Sequence, residues 1–271
     1  MARWLSSPPW PSKWMPKAGP ILAFTVLLPL AAQATGADIL DESSLGEKTR
    51  YDRCLQLTRQ NPQTALDAAT DWENRGGNGA ATHCAALALA ALKRFSEAAA
   101  RLDRLGHEDV GGAPQRATLF DQAGNAWLLA NRGAEAMASF SSALALSPAD
   151  PDLLADRARA AALLGDWRAA DSDLTAAMSQ DSYRADLLVL RASARHALGK
   201  RAEARADLEQ ALRIVPNYPE ALVERGALRF ETGDAKGARS DWQTVIARAP
   251  NSEAASAARQ RLSALPPPKA K

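Results

Sequence analysis

Between residues 117 and 250, apolar positions fall into short helical stripes, and the stripes recur every 34 residues. Within a stripe they are spaced i, i+3, i+4, as on a helix with one buried face. Phe120, Leu154, Leu188 and Leu222 occupy one slot of the period, and Phe140, Leu174, Leu208 and Trp242 another. Small residues hold the slots where backbones must approach closely: Gly124, Ala158, Ala192 and Gly226, then Ala136, Ala170, Ala204 and Ala238. Pro148, Pro216 and Pro250 stop one helix per period, with Ser182 in the remaining slot, while Gly165-Asp166, Gly199-Lys200 and Gly233-Asp234 mark a turn halfway through. The pattern predicts four units starting near Ala117, Pro151, Ala185 and Pro219, each an antiparallel helix pair. In the first, the helices are expected over Phe120–Asn131 and Ala134–Leu146. A fixed period of this length marks a stacked array, in which no unit buries its apolar face alone.

Upstream the pattern weakens but continues. Ala86, Phe95, Ala98 and Leu102 fit a degenerate unit over 79–112, whose link from His107 to Pro114 is about four residues longer than the period allows. Asn61-Pro62 opens an earlier helix with proline in its first turn. Ala65, Ala69 and Trp72 share its face, Gly76-Gly77 ends it, and residues 45–60 are its antiparallel partner. Downstream, Ser252 caps a helix over 253–265, which Pro266-Pro267-Pro268 stops before a disordered tail, 266–271. The array is thus divided into degenerate units over 45–112, four regular units over 117–252 and a capping helix.

Residues 1–34 read as an export signal rather than as fold. Lys13 and Lys17 precede an apolar run from Ile21 to Ala32, and Ala32-Gln33-Ala34 offers a small-x-small cleavage site before Thr35. A run of about 12 residues is short of the roughly 20 that span a bilayer. Cleavage leaves a linker over 35–44 and a periplasmic chain; the alternative is an inner-membrane anchor formed by the uncleaved segment. Trp4, Trp10, Trp14 and three prolines make the stretch before Met15 unlike a signal, so translation is expected to start at Met15. A precursor mass that includes Trp4 would exclude that start.

Export changes the charge argument. Residues 1–34 carry Arg3, Lys13 and Lys17 and no acid, so 30 of the 33 bases remain against all 31 acids, a net of −1. Nucleic-acid binding, which needs a basic face, is not expected. Cys54 and Cys84 are the two cysteines, and an even count in an exported chain favours a disulfide over the alternative of two buried thiols. Both sit on first helices of neighbouring units, where a bond would staple the irregular end.

The four concatenated units resemble the tetratricopeptide repeat family. The resemblance runs through Phe120, Gly124, Trp127, Ala136, Phe140, Ala143 and Pro148, and continues through Ala158, Gly165-Asp166-Trp167, Ala170, Leu174 and Ala177. It implies an all-α fold: a right-handed α-solenoid of about six helix pairs plus the capping helix, with first helices lining a concave groove. It also implies protein or peptide binding rather than catalysis. On that analogy the groove presents Asp121, Asn125 and Leu128; Asp152, Arg159 and Leu163; Val189, Ser193 and His196; and Val223, Phe230 and Glu231. The partner contacts named from these are Asp121, Asn125, Arg159, His196 and Phe230. The Lys, Asn and Arg cluster with which some members clamp a C-terminal carboxylate is approximated only by Asn125 and Arg159.

Charges repeat as well. Arg157, Arg191, Arg225 and Arg259 share a slot, as do Asp173, Asp207 and Asp241. In the first regular unit both are absent together, replaced by Ala123 and Ser139, so the two slots are read as structural ion pairs rather than a ligand site. Pairing within a repeat leaves Arg259 over, and pairing between repeats leaves Arg157. No enzyme signature stands out. His83, His107 and His196 lie on different units without metal-ligand spacing or a nucleophile, and Gly76-Gly77 and Gly111-Gly112 lack the lysine and strand of a phosphate loop. No cofactor or metal is expected. The function read from the sequence is a periplasmic scaffold or adaptor; the alternative is a chaperone-like holdase or an envelope polymer-binding factor.

Overall fold

The computed structural model of the chain describes residues 46–108 and 111–265. The expected signal, linker and C-terminal tail lie outside the described residues. Among the described residues there are thirteen helices and no strand, an all-α helical-repeat fold. The helices are α1 Glu47–Gln60, α2 Pro62–Asn74, α3 Gly79–Ala91, α4 Phe95–His107, α5 Ala113–Leu129, α6 Gly133–Leu146 and α7 Pro151–Leu163. They continue as α8 Trp167–Gln180, α9 Ala185–Ala197, α10 Arg201–Ile214, α11 Pro219–Glu231, α12 Ala235–Arg248 and α13 Glu253–Ser263. The chain divides into two compact units at residue 160.

In the unit up to residue 160, α1 to α4 close around Ala65, Ala69, Cys84, Ala85, Ala88 and Ala99, all fully buried. Alanine-lined faces let these helices pack closely. Cys54 in α1 is bonded to Cys84 in α3, with the two Cα atoms 6.3 Å apart. Of the expected long link before the first regular unit, the end from Ala113 is helical. α5 starts at Ala113 rather than near Ala117 or Phe120, and the inserted residues form an extra N-terminal turn with Pro114 in its first positions. An insertion of four costs little there, because it adds about one whole helical turn and leaves the apolar stripe in phase.

In the unit from 161 onward, Trp242, Val245, Ala238 and Leu222 form a core that α13 closes with Ala255 and Ala258. Helix starts follow their capping residues: Asp166, Asp234 and Ser252 accept from the backbone N–H of Ala169, Gly237 and Ala255 at 3.0, 2.8 and 3.0 Å. The mid-unit turn takes the left-handed conformation at one slot, with φ of 77° at Gly165, 76° at Gly199 and 87° at Gly233. Asn131 fills that slot in the first regular unit at φ 59°, and asparagine tolerates the region better than other non-glycine residues.

Candidate functional site

Three of the five residues read as partner contacts meet in the unit up to residue 160. Asn125, one turn after Asp121 on α5, donates from Nδ2 to Asp121 Oδ1 at 2.9 Å and to Asp156 Oδ2 of α7 at 3.3 Å. Arg159, also on α7, pairs with Asp156. Asp156 was not singled out from the sequence, yet Asn125 and Arg159 both meet it. Its signal was the single turn separating it from Asp152 and Arg159 on one helix.

Carboxylates dominate this cluster. Burial first, then the charges of Asp156, Asp150 and Asp152, push the Asp121 carboxyl up to about 7, against a small opposing effect of the Asn125 hydrogen bond. Burial also raises the Asp156 pKa, although Arg159 and Asn125 act the other way.

Next to it runs a polar row that the sequence did not suggest. Tyr51 Oη on α1 lies 2.6 Å from His83 Nδ1 on α3, and His83 Nε2 lies 2.7 Å from Gln122 Oε1 on α5. The Tyr51 and His83 rings also stack, with centroids 5.9 Å apart. Burial lowers the His83 pKa, with the Gln122 hydrogen bond opposing it, and so favours the neutral ring. Three successive first helices are thus joined by one hydrogen-bonded line.

In the unit from 161 onward, His196 Nε2 is 2.9 Å from Glu231 Oε2, and Arg201 Nε is 3.6 Å from the same oxygen. Phe230, the residue before Glu231, is 43% exposed, and its ring centroid is 6.4 Å from that of the buried Trp242. His196 and Phe230 belong to this unit, whereas Asp121, Asn125 and Arg159 belong to the one up to residue 160.

Two of the repeated charge pairs form within their own repeats. Arg191 grips Asp207 through Nε and Nη2 at 3.0 and 2.7 Å, and Arg225 grips Asp241 at the same two distances. A second arginine one turn on, Arg195 or Arg229, donates to the same carboxylate at 2.8 Å in each case. Arg195 also reaches Asp171, at 3.0 Å, together with Lys200 at 2.7 Å. Burial works to raise the Asp171 pKa, but the hydrogen bonds from Lys200 and Arg195 outweigh it and hold the group below the usual carboxylate range. Arg259 donates to the Pro250 carbonyl oxygen at 2.7 Å. In the first regular unit, which lacks both charges, Ser139 and Trp127 instead donate to Asp103 of α4 at 2.7 and 2.6 Å. Arg195 and Arg229 were legible as another pair 34 apart; Asp103 was not, because it lies off the repeat.

Among the described residues no group of three or more His, Cys, Asp or Glu is arranged to hold a metal ion. Among them, too, no helix is long and apolar enough to cross a membrane.

A family profile described as tetratricopeptide repeat matches residues 220–252. No curated protein matches the sequence. Among solved structures, a tetratricopeptide repeat protein from Parabacteroides merdae superposes with a TM-score of 0.58 at 17% identity, covering 83% of this chain and 89% of that one. A thermophilic TPR protein from Thermus thermophilus gives 0.54 at 21% identity, over 66% and 95% of the two chains. YrrB, described as a TPR protein with an unusual peptide-binding site, gives 0.52 at 18% identity, over 72% and 99%. At these identities the likeness establishes the fold.

Proposed function

We propose that this chain, a tetratricopeptide-repeat protein by its match at residues 220–252 and by its all-α fold, is a scaffold that holds a protein or peptide partner against its first helices. The observation that carries this reading is the cluster at Asn125, where Asp121 feels the charges of Asp150, Asp152 and Asp156, and Arg159 pairs with Asp156. Burial and neighbouring like charges make these carboxylates costly to ionise in the free chain, and a partner's lysine or arginine relieves that cost on binding. The peptide-binding site of YrrB supports the same use of this fold. His196 and Phe230 extend the proposal to the unit from 161 onward, as a polar and an apolar contact.

Catalysis is not part of the proposal. The proposed location is the periplasm. It is supported by Lys13, Lys17, the apolar run to Ala32 and the Ala32-Gln33-Ala34 site, and by a Cys54–Cys84 bond, which persists in oxidising compartments. Crosslinking and capture from periplasm tests the function. A few proteins bound stoichiometrically, and lost with Asn125→Ala or Asp156→Ala, are expected. If the chain instead suppresses aggregation of unrelated unfolded proteins, and the variants do so equally well, the holdase reading replaces the scaffold.

A further inference from the structure

Helix α1 buries one residue completely, and that residue is Cys54. Its neighbours are anchored by many: α2 buries Ala65, Leu66, Ala68, Ala69 and Trp72, and α3 buries Cys84 among Ala81, Ala85, Ala86, Ala88 and Leu89. Tyr51 and Leu57 of α1 pack on the same core while staying partly exposed. The rest of α1 is rich in charge: Glu47, Lys48, Arg50, Asp52, Arg53 and Arg59. A helix of 14 residues is marginal in water without tertiary support. The covalent bond therefore sits at the one position where α1 is fully buried.

We propose that the Cys54–Cys84 disulfide is a redox-sensitive latch for α1. With the bond formed, α1 is docked and Tyr51 joins His83 and Gln122 in the polar row. With it reduced, α1 leaves α3 and melts, His83 loses Tyr51, and the alanine faces of α2 and α3 become the open end of the array, while the later helices stay folded. A dithiol supplies the reduction: one of its thiolates attacks a sulfur of the bond and releases the other cysteine, and its second thiolate then attacks the mixed disulfide at the reagent's sulfur and releases the first cysteine. Two electrons and two protons end on Cys54 and Cys84 as thiols, and the dithiol becomes a disulfide. Both cysteines are 0% exposed, so the attack follows local opening of α1. The latch stands apart from the proposed binding role and is read without any partner.

Amide hydrogen exchange on the full chain tests it, comparing the oxidised protein with the protein held reduced by dithiothreitol and with the Cys54→Ser/Cys84→Ser variant. Reduction is expected to speed exchange across 47–60 by about a hundredfold, leaving α5 and α6 unchanged. Equal protection of 47–60 in both states overturns the latch, because α1 then holds without the bond. Loss of protection throughout also overturns it, because the bond then supports the whole array. The reduced wild-type chain, which carries no substitution, decides among these outcomes.

Discussion

A Cβ placed on Gly226 would lie 2.8 Å from Trp242 Cε2, and one on Gly124 would lie 2.6 Å from Phe140 Cε1. In the repeat built on Ala192, the facing slot holds Leu208, and both are buried. The slots therefore covary by volume: glycine takes an aromatic ring and alanine takes leucine. Gly226→Ala is expected to cost about 1–3 kcal/mol by overpacking. In a Trp242→Leu background the same change should cost less than about 0.5 kcal/mol, because the pair then has the Ala192–Leu208 volumes. Urea midpoints of the four chains measure this, and equal costs in both backgrounds would refute the pairing. Asp121 gives a second prediction at this scale. Its carboxyl, raised from 3.8 to about 7 in the folded chain, keeps its proton where the unfolded chain has lost it. Its contribution is full below the unfolded value and is lost as the pH rises through the folded one. Asp121→Asn should therefore gain on the wild type as pH rises from about 4 to about 8. Urea unfolding at both ends of that range checks the sign.

At the scale of helices, two arginines of one helix converge on one aspartate of the next. Asp207 and Asp241 are each 4% exposed, so their carboxylates depend on those donors rather than on water. Asp207→Asn is expected to cost about 3 kcal/mol, since it leaves the partly buried Arg191 against a neutral group and takes from Arg195 one of its two aspartates. Glu209→Gln, which breaks the exposed Arg205–Glu209 pair, should cost at most about 1 kcal/mol. Chemical denaturation of the two variants gives the comparison; similar losses would show that burial is not what strengthens the pair. The sequence revealed that the Arg and Asp slots belong together, because both vanish at Ala123 and Ser139. It could not reveal which Arg meets which Asp. Asp207 lies 16 residues after Arg191 and 18 before Arg225, and helix-pair geometry alone separates the two.

At the scale of the whole molecule, an array loses stability when a terminal face is opened. α13 covers Trp242 and Val245, which are 2% and 1% exposed. Removing residues 253–271 should cost roughly 2–4 kcal/mol for the apolar surface returned to water. A calorimetric melting temperature compared with that of the full chain tests this; an unchanged value would mean that α13 is not a cap.

What the sequence determined by itself was local and then multiplied: helix pairs, their turns, the small and large slots, the capping helix, and two cysteines on neighbouring first helices. Each follows from the 3.6-residue geometry of the backbone, and four repeats of one pattern remove the ambiguity of any single stretch. Only the tertiary structure decided the polar partners. Asn125 meets Asp156 across 31 residues, His83 meets Gln122 across 39, and Trp127 and Ser139 turn back to Asp103 across 24 and 36. A hydrogen bond is won or lost within a few tenths of an ångström, a distance set by how whole helices pack and not by spacing along the chain.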